Sequence, residues 1–384
     1  MRFLPLVWRS LLRKKTRTVF TVLSILVAFV LFGYLGAIRQ AFTGGIELTG
    51  ADRLLTLHRV SLIQLLPVSY RTRIESIPGV KAVSYSTWFG GTYQDPKNFF
   101  PQYVTDPEAL LELYPEYRLP EDQKRAWLAD RMGAIAGRQI ATKYGWKIGD
   151  KIPIQATIWR KKDGSIDWVF DLVGIYDGAE KGTNTTQFFF RYDYFDESRM
   201  FGQGMVGWFI ERIAEPARAA EIARRIDDTF QNSAHETKTS TEKAFAQAFA
   251  NQVGDIGAIL RSVLLAVFFT ILLVAGNTMA QSVRERVGEI AVLKTLGYSD
   301  GKVLGLVMAE SLLLSGVGGL LGLGLGWVLI QRGDPTGGQL PIFFLPVRDL
   351  VRGVGLVLAL GVATGVPPAV MALRLRIVDA LRRV

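Results

Sequence analysis

Carboxylates and histidines are the first places to look for chemistry in this 384-residue chain, since paired acids move protons and histidines bind metals. Only two histidines occur, His58 and His235, and cysteine is absent. Disulfides, thiolate nucleophiles, cysteine metal sites and histidine-rich metal sites are therefore excluded. The acid pairs Asp106/Glu108 and Asp227/Asp228 read as solvated surface. There is no Gly-x-x-x-x-Gly-Lys-Ser/Thr phosphate loop, Gly-x-Ser-x-Gly elbow, His-Glu-x-x-His pair or dinucleotide fingerprint. The chain is thus not expected to be an enzyme or to bind a cofactor or metal. What stands out is a run of alternating charge, Arg284-Glu-Arg-Val-Gly-Glu-Ile-Ala-Val-Leu-Lys-Thr-Leu-Gly297. Helical spacing puts Val283, Val287 and Ile290 on one side, with Arg284, Glu285, Arg286 and Glu289 as a charged face, and Gly297 suits a C-terminal cap. A helix lying on lipid headgroups is mostly of one sign. Alternating signs favour a socket on another protein.

The elements around that run are apolar. Hydrophobic residues make up 49% of the chain, glycine adds 39 residues, and mean hydropathy is +0.21. Four windows reach the roughly 20 residues that a bilayer-crossing helix needs: Thr18–Ile38, Ser262–Val283, Val303–Ile330 and Gly353–Leu373. The first exceeds a signal peptide's apolar region and lacks a small-residue cleavage site, so it reads as a retained anchor. The third is interrupted only by Glu310, for which structural pairing is favoured over a proton relay. Gly318, Gly322 and Gly326 recur every fourth residue, as do Gly361 and Gly365, so another helix backbone can approach either face closely.

A net charge of +10 first suggests nucleic acid, but its placement argues otherwise. Residues 1–17 carry six basic side chains and no acid, and residues 374–384 carry four basic and one acidic. Residues 39–261 carry 28 of each sign. The excess sits at the membrane edges, as the positive-inside rule requires, and no nucleic-acid partner is expected. The expected fold is an α-helical membrane protein with four transmembrane helices plus a large mixed α/β extracytoplasmic domain inserted between helices 1 and 2. In order it comprises a cytoplasmic basic elbow (1–17, with Arg13, Lys14, Lys15 and Arg17), a first span (18–38), the inserted domain (39–261) and a second span (262–283). A cytoplasmic segment (284–302), a third span (303–330), a short outer loop (331–352), a fourth span (353–373) and a cytoplasmic tail (374–384) follow.

Within the insert, strands are expected at Arg53–Val60, Val80–Trp88, Lys151–Trp159, Trp168–Tyr176 and Gln187–Tyr192, with a hairpin turn at Asp163-Gly164. Helices are expected at Val68–Ile77 and at Ala217–Phe230, the latter with Ile222, Ile226 and Phe230 on one face. Trp88, Tyr93, Phe99 and Phe100 beside Gly90-Gly91 suit core packing, or else a surface for an apolar substrate or partner. From Ser240 a helical pattern runs into the second span, and Phe245, Phe249, Gln252, Ile256 and Leu260 form a stripe. Such a stalk needs a partner surface: its own domain, or the same stalk of a second subunit.

The run Arg284, Arg286, Glu289, Ile290, Leu293, Lys294 and Gly297 resembles, position for position, the coupling segment R-x-R-x-x-E-I-x-x-L-(K/R)-x-x-G of the MacB/FtsX-type (mechanotransmission) ABC transporter permeases. The entry Trp8-Arg-Ser-Leu-Leu-Arg-Lys-Lys-Thr-Arg17-Thr18 resembles the family's basic elbow, and Glu310 with the Gly318/Gly322/Gly326 run resembles its third span. The tail Pro368-Ala369 and Arg374-Leu-Arg-Ile-Val-Asp379-Ala-Leu-Arg382 is similar to the family's terminus, with Ile377 for the usual Pro and Asp379 for Glu. Ile77-Pro-Gly-Val80 and Gly149-Asp150 with Val173-Gly174-Ile175 are similar to family members as well. The resemblance implies a porter-like α/β subdomain, a β-rich subdomain, and a permease of the kind without a fused ATPase. It also implies a dimer of ABC ATPase subunits as partner, holding the ATP and Mg, and a second permease copy, either identical or a related paralogue. A periplasmic adaptor or carrier, membrane lipid, and a bacterial inner-membrane location with both termini cytoplasmic follow from it too. Movement at the coupling segment would then drive export or extraction of a hydrophobic substrate: a lipid, lipoprotein, peptide or drug. An FtsX-like signalling permease regulating a partner such as a cell-wall hydrolase is the alternative, and a receptor without an ATPase a third reading.

Overall fold

The computed structural model describes residues 14–48, 50–180, 182–252, 256–333 and 343–373, with side chains described throughout except at 42–48, 249–252 and 256. In chain order the elements are α1 (Lys15–Leu48), β1 (Arg53–His58), β2 (Leu66–Pro67), α2 (Tyr70–Glu75), β3 (Val80–Trp88), β4 (Gly91–Tyr93), β5 (Asp95–Phe99) and β6 (Gln102–Thr105). Next come α3 (Pro107–Leu113), β7 (Tyr117–Arg118), α4 (Glu121–Ala129), β8 (Gly133–Gly137), α5 (Arg138–Tyr144), β9 (Lys151–Ala156) and β10 (Asp167–Gly178). After these lie β11 (Phe188–Arg191), α6 (Tyr192–Ser198), β12 (Met205–Val206), β13 (Trp208–Ile213), α7 (Ala219–Phe230), β14 (Thr237–Thr241) and α8 (Glu242–Gln252). The last helices are α9 (Ile256–Glu285), α10 (Val287–Thr295), α11 (Asp300–Gln331) and α12 (Val347–Leu373). The chain divides into a helical unit (1–41, 255–334 and 343–384) and a sheet unit (42–254 and 335–342).

In the helical unit, α9, α11, α12 and the Lys15–Ala41 part of α1 are 27 to 32 residues long and each holds an 18-residue stretch of mean hydropathy 2.0 to 2.5, long and apolar enough to cross a membrane. Helices in a water-soluble core would hide such side chains. Here Phe20 (67% exposed), Leu265 (71%), Phe269 (60%) and Leu358 (57%) point outward, as lipid-facing residues do. Between helices the contacts are glycine-mediated. A Cβ on Gly318 would lie 2.9 Å from the Val22 carbonyl oxygen, and one on Gly322 would lie 2.5 Å from that of Leu26, so this stripe packs against α1. Gly365 abuts Met308 and Ser311 at 2.9 Å, and Gly361 abuts Ser315 and Leu312, which packs α12 on α11. Ser311 Oγ donates to the Gly361 carbonyl at 2.8 Å inside that contact, satisfying a hydroxyl that has no water to turn to.

In the sheet unit the strand order is β14-β1-β13-β3-β6-β11-β8-β10-β9-β4-β5, with β7 paired to β10 and a separate β12–β2 pair. In the four strands at one end, β14-β1-β13-β3, each is antiparallel to its neighbour, and with α2 and α7 they form the split β-α-β arrangement of a ferredoxin-like half: β1-α2-β3, then β13-α7-β14. Everything from β4 to β12 is inserted between its second and third strands. Period-two alternation makes Leu54 face α2 and α7, with Ile74, Ile222, Ile226 and Phe230. Leu55 and Leu57 face the other way, onto Leu110, Leu113, Trp127 and Tyr176. The inserted strands close on an aromatic core of Phe89, Trp168, Phe170, Phe188, Phe190 and Phe195.

The expected strands and helices are present, generally trimmed at their ends, and Val80–Trp88 matches residue for residue. The hairpin turn holds too, with Gly164 at φ +85°. Gly149 N–H donates to the Leu172 carbonyl at 2.8 Å and Leu172 N–H to Asp150 at 2.9 Å, so the two family-like stretches are brought together. Two expectations need correction. The helix expected from Ser240 begins at Glu242, because Ser240 and Thr241 end β14 and the Thr241 hydroxyl caps the helix by accepting Ala244 N–H at 3.1 Å. The acid pairs are not all solvated surface. Asp106 caps α3 and pairs with Arg71 at 2.8 Å, and Asp227 accepts Thr237 Oγ1 at 2.9 Å and Thr239 Oγ1 at 2.7 Å.

Candidate coupling site

Helix α9 stops at Glu285 because Arg286 leaves helical geometry (φ −107°, ψ 14°), and α10 begins one residue later. The short helix ends in a Schellman turn: Tyr298 N–H donates to the Leu293 carbonyl and Gly297 N–H to that of Lys294, both at 3.1 Å. Gly297 at φ +87° supplies the left-handed residue that this turn requires. The corner at Arg286 therefore turns a membrane helix into a short amphipathic one.

The charged residues of this corner are engaged with their own bundle. Glu285 pairs with Lys14 at 2.8 Å and with Arg17 of α1 at 3.0 Å. Arg286 Nη1 donates to Glu310 of α11 at 2.8 Å, and Ser282 Oγ donates to the other Glu310 oxygen at 3.2 Å. Arg286 Nε also reaches Glu289 at 3.1 Å. Lys294 Nζ donates to the Leu373 carbonyl at the end of α12 and pairs with Asp300, each at 3.0 Å. These contacts differ in weight. The Lys14–Glu285 pair is open to water and screened by it, so it contributes little, as surface pairs do. Glu310 is 4% exposed, and removing Arg286 would leave a desolvated charge costing about 3–5 kcal/mol. Val283 and Ile290 are buried against Val303, Val307, Ala369 and Ala372, so the apolar stripe also faces the bundle. Leu293 is half-buried.

What faces outward is a different set. Arg284 and Glu289 are exposed, and beside Glu289 lie Val292 (49% exposed) and Leu296 (72%), one helical turn apart. The sequence reading missed these two. Their signal was present, as apolar residues at i and i+4 opposite Ile290, but the charge pattern drew attention away. An exposed apolar pair with a carboxylate beside it suits a protein socket.

The other expected site residues fall as follows. Lys15 is exposed, and Arg13 lies outside the described residues. Gly326 approaches the backbone of α1 at Val30 Cα (3.4 Å from a built Cβ), completing the stripe of Gly318 and Gly322. In the stalk, Phe245 packs on Leu55, Leu57 and Ile210 of its own sheet, and Leu260 is half-buried. The side chains of Phe249, Gln252 and Ile256 lie outside the described residues. Sequence reasoning also missed the root of this helix. Arg53, 3% exposed, pairs with Glu242 at 2.6 Å and Glu116 at 2.7 Å, and its guanidinium lies 4.4 Å from the Tyr114 ring centroid. Burial alone would lower the Arg53 pKa, but the neighbouring Glu242 and Glu116 carboxylates outweigh it and raise it, so the guanidinium stays charged. In the aromatic group, Phe100 and Tyr93 pack on Tyr144 and Trp146, while Trp88 and the half-exposed Phe99 lie together at the surface.

Comparison with known proteins bears on the helical unit. Residues 261–377 match the model of the FtsX-like permease C-terminal family, which takes in α10, α11 and α12 and most of α9. An uncharacterized ABC transporter permease of Bacillus subtilis, YknZ, is 31% identical over 160 residues, 39% of this chain and 38% of that protein. An uncharacterized ABC transporter permease of Methanocaldococcus jannaschii is 26% identical over 326 residues, 80% of this chain and 77% of that protein. The chain therefore spans less than half of the first relative and about three quarters of the second. Among solved structures, the periplasmic region of MacB from Actinobacillus actinomycetemcomitans aligns at 10% identity and a TM-score of 0.39, covering 54% of this chain and 96% of that one. Residues 261–377, which hold the corner at Arg286 and the capped helix after it, are thus similar to an FtsX-like permease C-terminal domain, and the chain is similar to ABC transporter permeases.

Proposed function

We propose that this chain is the membrane subunit of an ABC transporter of the FtsX/MacB type, and that α10 receives the movement of a separate, cytoplasmic ATPase. The observation that carries this reading is the two-sidedness of the segment after α9. One side is tied to α1, α11 and α12 through Glu285, Arg286 and Lys294, and the other offers Glu289, Val292 and Leu296 to a partner. A segment built in this way passes a push from outside the bundle to the helices within it. The charge distribution supports an orientation with both termini and α10 in the cytoplasm and the sheet unit outside. Closure of the ATPase pair on ATP would displace α10, and the membrane helices would carry that displacement outward, where a hydrophobic substrate is engaged. The roles of the second permease copy and of any adaptor belong to the same proposal.

The test is purification of the tagged full-length chain from its native membrane in mild detergent. The wild type is expected to bring down an ABC-type ATPase with ATP turnover. The double variant V292D/L296D is expected to lose at least 90% of it, with an unchanged melting temperature because both side chains are outside the core. A wild-type preparation without an ATPase, or a variant that retains it fully, would contradict the assignment.

A further inference from the structure

We propose that Glu310 is a positioning residue: its buried ion pair with Arg286 makes the corner after α9 and the helix α11 move as one body. This rests on the reading of α10 as the coupling element and adds the receiver of its motion. Three observations combine. Arg286 occupies the single non-helical residue between α9 and α10, where a change of angle between those helices would concentrate. Its guanidinium reaches past the start of α11 to Glu310, about 15 Å along that helix at 1.5 Å per residue. Glu310 is also held by Ser282 of α9, so one carboxylate ties the end of α9, the corner and α11 together.

The surroundings make that tie stiff. Glu310 lies in a small pocket lined by Thr18, Thr21, Thr278, Ser282, Met279 and Leu314, with Arg17 at its edge. With Glu310 only 4% exposed, separating the two charges costs more than it would on the surface, so the pair resists sliding of the corner against α11. Beyond it, α11 is in backbone contact with α1 through Gly318, Gly322 and Gly326 and with α12 through Gly361 and Gly365. A displacement delivered at Glu310 therefore enters a helix that is interlocked with two others. The bland role, a clamp that merely stabilises the bundle, predicts loss of folding when the pair is broken. The positioning role predicts a folded, ATP-hydrolysing complex whose membrane helices no longer respond.

The test uses the complete complex with its co-purified ATPase and takes advantage of a chain with no native cysteine. Ile259→Cys, exposed near the start of α9, is labelled with a membrane-impermeant maleimide in the nucleotide-free and ADP–vanadate-trapped states. E310Q is expected to keep the ATPase bound and turning over while the labelling difference between the two states falls at least threefold. The charge-swapped R286E/E310R is expected to restore at least half of that difference. Should E310Q prove unstable, R286C/E310C joined by a short bis-thiol-reactive linker replaces it, and only the linked form should respond, with a ketone-bearing residue at position 259 and an impermeant hydroxylamine reagent in place of cysteine and maleimide. Wild-type labelling in E310Q, an unrestored swap, or a linked form as unresponsive as the unlinked one would overturn the proposal while leaving the coupling role of α10 standing. Absence of any nucleotide-dependent change in the wild type would instead remove that parent reading, and this one with it.

Discussion

Glu211 lies on β13, fully buried between the sheet and α7, and neither carboxyl oxygen makes a hydrogen bond to a described group. Desolvation, with the Asp227 carboxylate adding to it, pushes its pKa up to about 8, against the weaker opposite pull of Thr56 beside it. In the unfolded chain the same group ionises near the usual carboxylate value. Between that value and pH 8 only the unfolded state releases its proton. The contribution of Glu211 to stability is then greatest under acidic conditions and falls by about 1.4 kcal/mol per pH unit until the native carboxyl also ionises. E211Q should abolish this slope. We predict that the variant gains on the wild type in thermal stability as pH rises from 5 to 8, by about 4 kcal/mol in total. A stability difference that stays constant across that range would contradict a neutral buried carboxyl. At this scale the sequence was legible where partners are local: the Arg284–Gly297 run and the Gly297 cap follow from spacing. Glu211, Arg53–Glu242 and Arg286–Glu310 were not, because each depends on residues brought together only by the fold.

Among the elements, the glycine spacing on α11 showed in advance that another backbone would come close, and the structure shows it to be α1. Which helix would fill the notch was not legible, since every apolar span offers similar side chains. The same helix supplies its own control. Gly316 and Gly324 have nothing within 4 Å of a built Cβ, whereas Gly322 meets the Leu26 carbonyl oxygen, a backbone atom that cannot swing aside. G322A is therefore expected to destabilise the purified protein by about 1–3 kcal/mol, as overpacking does, and G316A by less than about 0.5 kcal/mol. Thermal melting in one detergent compares the two, and equal effects would refute the close α1–α11 contact. The Ser240 boundary shows the opposite limit. Helical periodicity extended across Ser240 and Thr241, but pairing of β14 with β1 and the Thr241 cap overrode it.

For the whole molecule, two features of the sequence carried furthest. The four apolar windows matched the four long helices. The net charge of +10 fell at the predicted membrane edges, leaving residues 39–261 neutral. The ferredoxin-like half was hidden, because β4 to β12 separate its second and third strands and many of those strands are only two to five residues long. The outward face of α10 was hidden as well, because Glu285 and Arg286 proved to be clamped inward and the outward Val292 and Leu296 carry no charge. The coupling role of α10 therefore turns on whether the outward Leu296 touches an ATPase. The direct measurement is photocrosslinking in native membranes from a photoreactive residue at Leu296, with the same residue at the outward Leu320 of α11 as reference. The account predicts an adduct with an ABC-type ATPase from position 296 and none from 320; no ATPase adduct from 296, or equal adducts from both positions, would contradict it.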